Sequence, residues 1–315
     1  MTTLSDPSVR SALFARKQAG GAFQIVNETL TTGNIFYVDS GATTTGGTTA
    51  SYGRNPDAPF TTIAAAITNC VASNGDMVFI MPGHAETTTA IAASKIGVKF
   101  VGMGVGSNRP TFTATTAATD LLDVTASCTF ENIIFVGAAS GVTALVDIAA
   151  NDVTFINCVF RHGAAPLNAV TVASGLRAGF YGCRWQGTAN NPNYAILFES
   201  ITADACADFE IIDCIFNYGR YGLDDAAIGF LGQHHEGGII KDCVMSGMVL
   251  TAIDFNSSSA AALRGLITGI RATAFVGISI DGIVDPGGYG IVDVRATDAV
   301  AGVTSPVWLG ASTAT

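Results

Sequence analysis

Charge is scarce in this chain of 315 residues: Asp, Glu, Lys and Arg make up 13% of it, against a hydrophobic share of 49%. Basic residues are scarcer than acidic ones, 15 against 25, which leaves a formal charge of −10. That balance argues against nucleic acid or an anionic membrane surface as the main partner, because both need clustered Lys and Arg. No uninterrupted run of 18 apolar residues occurs, so no segment has the make-up of a membrane-spanning helix. The seven cysteines contain no Cys-x-x-Cys pair, the usual spacing of zinc and redox sites. Met1 to Lys17 shows neither the apolar stretch nor the cleavage pattern of a secretory signal. The expectation is synthesis in a reducing cytoplasm with free thiols, and the odd cysteine count agrees.

What the chain does have is repetition. Its length exceeds that of an ordinary single-core domain, and its 36 glycines are spread along it as tight corners would be. A short motif recurs: FENIIF from Phe130, FINCVF from Phe155, FYGCRW from Phe180, IIDCIF from Ile211, IIKDCVM from Ile239 and a faded LITGI from Leu266. From Ile133 through Cys158, Cys183, Cys214 and Cys243 to Gly269, the steps are 25, 25, 31, 29 and 26 residues. Periods of this size mark solenoids.

Between the copies lies a second recurring segment, at Ala144 to Ile148, Ala169 to Val172, Ala195 to Phe198, Ala226 to Phe230 and Ala252 to Phe255. These runs are too short for helices, rich in β-branched and aromatic residues, and bounded by turn formers, so they read as strands. Two or three such strands per turn, stacked about 4.8 Å apart, describe a parallel β-solenoid in which neighbouring coils share one core. Identical positions then stack, and the cysteine column reads as a buried ladder of small hydrophobes. A metal reading fails, because ligands on four successive coils lie along a line and not around a point.

The ends read differently. Asp6 and Pro7 suit a helix start, with a helix over Pro7 to Gln18 stopped by Gly20 and Gly21. A second helical stretch, Thr61 to Ser73, precedes the first apolar strand and suggests a lid on the N-terminal end. The repeat pattern fades after Phe275. The expected organisation is a docking and capping segment over 1–36, a parallel β-helix over 37–275, and an irregular coil and tail over 276–315.

One ordered series carries a family likeness: Tyr37-Val38-Asp39, Gly46-Gly47-Thr48, Pro59 to Ile63, Ala65 to Ile67 and Gly75 to Val78, leading into IMPGHAE from Ile80 to Glu86. It resembles the N-terminal opening of the pectate-lyase-like right-handed β-helix superfamily, which includes many phage tailspikes and other virion proteins. The resemblance implies an all-β, single-stranded right-handed parallel β-helix with a short N-terminal helical cap. The superfamily holds lyases, hydrolases, esterases, adhesins and inert spikes, so fold does not decide activity. His84 and Glu86 sit at this opening corner and read as structural, as does Asp76 as a turn cap.

The two long periods point to loops between Cys183 and Cys243, and insertions in solenoids gather on binding faces. Tyr194, Tyr218, Arg220 and Tyr221 are the candidate glycan-binding residues there, since sugar C–H faces stack on aromatic rings and hydroxyls need polar partners. Trp185 occupies a repeat position used by phenylalanine and reads as core. Asp224, Asp225, His234 and Glu236 are the candidate catalytic set. Together with Gly232 and His235 they resemble elements of polygalacturonase-like enzymes, although the spacing is short and the companion motifs are missing. Neither a metal nor a cofactor is expected; His234 and His235 lack a third spaced ligand.

These readings converge on a structural virion protein of a tailed phage: a spike, fibre or decoration protein made in the host cytoplasm. It is expected to be trimeric, to join other virion proteins through its N-terminal segment, and to contact glycans. A polysaccharide-degrading hydrolase or lyase is the alternative enzyme reading, and a cell-surface adhesin is a third.

Overall fold

A computed structural model describes residues 17–18, 21–22, 31, 33–42, 53–114, 120–138, 141–162, 168–187, 192–200, 205–218, 225–232, 236–248, 251–255, 265–274, 281–284 and 289–297. The chain divides into two units, Met1–Thr32 and Gly33–Thr315. In the first, Lys17–Gln18 pairs antiparallel with Gly21–Ala22. The expected helix over Pro7 to Gln18 therefore does not include its last two residues, and its earlier part lies outside the described residues. Gly21, read as part of a helix stop, sits in the return strand of this short ribbon.

The second unit is a right-handed parallel β-helix. Its strands form three parallel sheets of ten, nine and eight strands, here called sheets 1, 2 and 3. Sheet 1 runs from Ile35–Val38 to Tyr289–Val292, sheet 2 from Ala85–Thr88 to Arg295–Thr297, and sheet 3 from Ile91–Ala93 to Asp281–Val284. The coil thus continues in register past the expected boundary at 275: Thr251 pairs with Asp281, Leu266 with Gly290 and Arg271 with Arg295. Glycines and outward polar residues dilute the apolar pattern there, which is why the repeat faded to the eye.

Alternation explains the layout. In sheet 1, Phe100, Phe130, Phe155 and Phe180 are in register and point inward, with stacked rings 4.9 to 5.5 Å apart. Sheet 2 stacks Phe160, Trp185 and Phe216 at 4.8 and 4.6 Å. Sheet 3 stacks Phe198, Phe230 and Phe255 at 4.9 and 4.3 Å. Trp185 is fully buried, as its repeat position required.

Between sheets 1 and 2 the chain turns in two residues. The first takes a left-handed conformation at Asn132, Asn157, Asp213, Asp242 and Asp293, with glycine at 182 and 269; Asn, Asp and Gly are the residues that tolerate it. The second points inward and is the cysteine column. Cys158, Cys183, Cys214 and Cys243 are free and buried, and each thiol donates to a carbonyl, as Cys183 does to Phe155 at 3.4 Å. The four side chains are fully buried in the core cluster, one above the other on successive coils, so the column packs as small hydrophobes. The column continues to Ile270 and not Gly269, because Asp242 pairs its backbone with Thr268 and Val244 aligns with Arg271.

At the N-terminal end, helix α1 (Ile63–Asn69) is capped by Thr62, whose side chain accepts from Ala65 N. It is shorter than the expected Thr61 to Ser73. Ile63, Ala66 and Ile67 are buried in the same core cluster as Phe36 and Ile91, which lie in the end strands of sheets 1 and 3.

Candidate functional site

His84 and Glu86, the acid/base pair at the opening corner, hold the N-terminal segment to the coil. Ser40 N–H donates to His84 Nδ1 at 2.9 Å, and His84 Nε2 lies 3.2 Å from Glu86 Oε2. Because Nδ1 accepts, Nε2 carries the hydrogen and donates to the carboxylate. Glu86 Oε2 also accepts from Ile63 N at 2.9 Å, at the start of helix α1. The His84 ring packs 5.2 Å from Phe112 at the foot of the aromatic ladder. Asp76, fully buried, accepts from the backbone N–H groups of Asn34 and Val71 at 2.6 and 2.7 Å and from the Asn74 side chain. Both groups are clasps that tie the opening segment to the first coils.

Tyr218, read as an exposed binding residue, is inside the coil. It follows inward-facing Phe216 by two residues, and its neighbour one coil back is Gly187, where a Cβ would come within 2.9 Å of the Tyr218 ring. The space left by that glycine holds the ring, which stacks 6.0 Å from buried His162. Burial alone pushes the Tyr218 hydroxyl well above its ordinary pKa and His162 down to about 3. Arg220, Tyr221, Asp224, His234 and His235 lie outside the described residues. Asp225 and Glu236 are not brought together. The strand Ala226–Gly232 separates them, and seven extended residues span roughly 20 Å.

Tyr194 and Asp225 are close in space: Tyr194 is the register partner of Ala226, and Asp225 N–H donates to the carbonyl of Asn193 at 3.0 Å. Tyr194 lies on the outer face of sheet 3. The two long periods place part of their extra length here, because Tyr194–Ser200 and Ala226–Gly232 have seven residues each, the longest strands described. Two outward columns make the face. One runs Ala144, Asn168, Tyr194, Ala226 and Thr251; the other runs Asp123, Asp147, Thr171, Leu197, Gly229 and Asp254. Tyr194 lies across Gly229, where a Cβ would come within 2.4 Å of its ring. Tyr194, Leu197 and Ala226 form a small apolar cluster separate from the core. Burial, then the charges of Asp225 and Asp254, push the Tyr194 hydroxyl up to about 12.

Beside this floor the face is acidic. Asp123 and Asp147 stand directly opposite on neighbouring coils, and Asp120 Oδ1 accepts from Ala144 N at 2.8 Å. Burial, followed by Asp120, Asp123 and Glu199, pushes the Asp147 carboxyl up to about 6. Asn168 donates to Thr171 Oγ1 at 3.3 Å, while its own side-chain oxygen is buried without a partner. Like charges directly opposite in a sheet oppose folding, and local conflicts of this kind collect at functional sites.

The sequence carries a signal for these residues. Asp123 and Asp147 are the polar residues between inward apolar ones in consecutive copies of the second strand. Among the described residues no group of three His, Cys, Asp or Glu is placed to hold a metal ion, and no helix is long and apolar enough to cross a membrane.

The raised Asp147 pKa has a stability consequence. The folded state binds this proton more tightly than the unfolded chain, so the carboxyl destabilises the fold progressively as pH rises from about 4 to about 6. Asp147→Asn is expected to stabilise the protein by about 1 kcal/mol at neutral pH, allowing for partial exposure, and by little at pH 4. Thermal denaturation at both pH values checks it; an equal shift at both would disprove the charge origin.

No family model matches the chain, and no curated protein matches its sequence. Among solved structures, the fold is similar to pectate lyase Pel9A, with a TM-score of 0.59 and 11% identity over 86% of this chain and 78% of that one. A rhamnogalacturonan lyase aligns with a TM-score of 0.44 and 16% identity over 84% of this chain and 66% of that one. A pectin methylesterase in complex with a hexasaccharide aligns at 0.40 and 14% over 88% and 92%. At such identities the likeness establishes the fold and leaves activity to the site.

Proposed function

We propose that this protein is a structural β-helix of a tailed-phage particle, a homotrimer joined to other virion proteins through its N-terminal segment, which contacts glycans with the outer face of sheet 3. The glycan part rests on one observation: Tyr194 and Leu197 form an apolar floor on the same outward face as the partly exposed carboxyl of Asp147, two coils away. A sugar presents apolar C–H faces and donor hydroxyls together, and this strip carries an aromatic ring and a carboxylate on one face. The virion part is supported by the likeness of Tyr37 to Glu86 to the opening of phage β-helix proteins. The name of the solved neighbour with a TM-score of 0.59, a pectate lyase, agrees with a polysaccharide as the partner class.

Binding is tested with a panel of purified bacterial capsular and O-antigen polysaccharides. Tyr194→Ala and Asp147→Asn are each expected to weaken the best binder about tenfold; binding to none, or undiminished binding by both variants, removes the glycan reading. Absence of the chain from purified phage particles removes the virion reading, and a monomeric mass in solution removes the trimer.

A second reading has a specific observation behind it. A carboxyl protonated near pH 6 opposite an acidic neighbour is what a general acid requires. Release of reducing ends or unsaturated uronates by the wild type, abolished in Asp147→Asn, would make the protein an enzyme.

A further inference from the structure

We infer that the outer face of sheet 2 carries a second site, built from Arg109, Arg161 and Arg184, that takes the oxyanion groups of an acidic polysaccharide. The three side chains come from three different coils and converge around Val159. Arg184 is the register partner of Val159 on the next coil. Arg161 lies two residues beyond Val159 and so shares its outward face. Arg109, just before the strand Thr111–Ala114, reaches over the intervening coil and donates to the carbonyl of Asn157. Ile134 and Val159 face outward along this path yet are only 5% exposed, as an arginine stem crossing them would leave them.

The electrostatics agree with that convergence. Burial holds the Arg109 guanidinium below its ordinary pKa, and the like charges of Arg184 and Arg161 push it in the same direction. Among the described residues none of the three forms an ion pair, whereas Lys99, Arg177, Lys241, Arg271 and Arg295 all do. In a chain with 25 carboxylates and 15 basic residues, three arginines grouped without a carboxylate partner leave this face locally cationic. The corner residues beside it, Asn157 and Gly182, are uncharged, and Arg109 Nε is buried without a partner. Guanidinium groups bind carboxylate and sulfate in a planar, two-bonded fashion, which suits oxyanions better than a lysine would. Gln186 and Asn217, aligned with Arg161 on successive coils, extend the strip with neutral donors along the solenoid axis.

The site is separate from the sheet 3 face and complements it. Asp120, Asp123, Asp147 and Glu199 repel a polyanion there, so an acidic chain is directed to sheet 2 and a neutral one to sheet 3. Either reading can fail while the other stands.

Dextran sulfate, polygalacturonate and neutral dextran are the probes, titrated against the full chain at low and at physiological salt. At least one of the two anionic polymers is expected to bind, more weakly as salt rises, and neutral dextran is not expected to compete. Arg161→Gln with Arg184→Gln should weaken that binding about tenfold or more, whereas Tyr194→Ala should leave it unchanged. Both arginines are solvent-accessible, so the variant retains the core. The inference is overturned if neither polymer binds, if the double variant binds as well as wild type, or if neutral dextran competes equally. It is also overturned if the double variant changes oligomeric mass while binding is unaltered, which would assign the arginines to a contact between copies.

Discussion

Trp185→Ala is expected to cost about 3 to 5 kcal/mol, the largest effect of any single substitution considered for this molecule. Trp185 is fully buried between Phe160 and Phe216, with ring centroids 4.8 and 4.6 Å away and near-parallel planes. Its removal opens a cavity in the middle of the solenoid, where neighbouring coils are held at the sheet spacing and cannot close in. In a stacked architecture each coil is stabilised chiefly by its neighbours. A gap here therefore uncouples the coils on either side, and amide protection should fall in both Val159–His162 and Ile215–Asn217.

Trp185→Phe supplies the contrast. Phenylalanine already occupies the position in the adjacent coils, and the substitution removes an indole N–H that is buried without a partner. Its cost should be small, about 1 kcal/mol or less, because lost volume is offset by a relieved polar group. Denaturant midpoints measure both variants. If Trp185→Ala unfolds at the wild-type midpoint, the ladder is not what holds the coils together.

Asp76→Asn is expected to cost about 3 kcal/mol, concentrated at the N-terminal end. The two carboxylate oxygens accept from Asn34 N, Val71 N and the Asn74 amide at 2.6 to 2.7 Å. Asparagine keeps the shape but turns one acceptor into a donor that faces an N–H group, and hydrogen bonds to a charged group contribute about 1.5 to 3 kcal/mol each. Burial by itself would raise this carboxyl's pKa; the bonds from Val71, Asn34 and Asn74 outweigh it and hold the value below the ordinary 3.8.

The sign of the pH effect follows. A carboxyl with a lowered folded-state pKa stabilises the fold above its unfolded value and loses that contribution as pH falls through the folded one. Wild type should therefore weaken below about pH 4 more steeply than Asp76→Asn. Proteolysis or hydrogen exchange of Ile35–Val38 and Ile63–Asn69 reports the local loosening. Parallel acid profiles for the two proteins would show that Asp76 is not the clasp.

Much of the fold was legible because a coil repeats its own instructions. Phe130, Phe155 and Phe180 recur every 25 residues, and a slip of one residue would turn each ladder out to solvent. The register of sheets 1 and 2 is therefore written in the spacing, and the cysteine column with it. Trp185 was readable for the same reason. Where glycines and polar residues thin the pattern, after Phe275, the pairing persists although its apolar signature does not. The loop composition around Tyr218 suggests exposure, but the stronger cue lies two residues away: Phe216 points inward, and period-two alternation carries Tyr218 to the same side.

The chain by itself determined a repeating all-β coil and its interior columns, because those features depend on alternation and period. Only the tertiary structure decided which side chains share a surface. Tyr218 found its place because Gly187, on the coil before, leaves a space for a ring. Asp123 and Asp147 became opposed neighbours through stacking, and Arg109 met Arg184 by crossing a coil. Residues far apart in sequence become neighbours at the sheet spacing of about 4.8 Å, and their charges act through that distance and not through their separation along the chain.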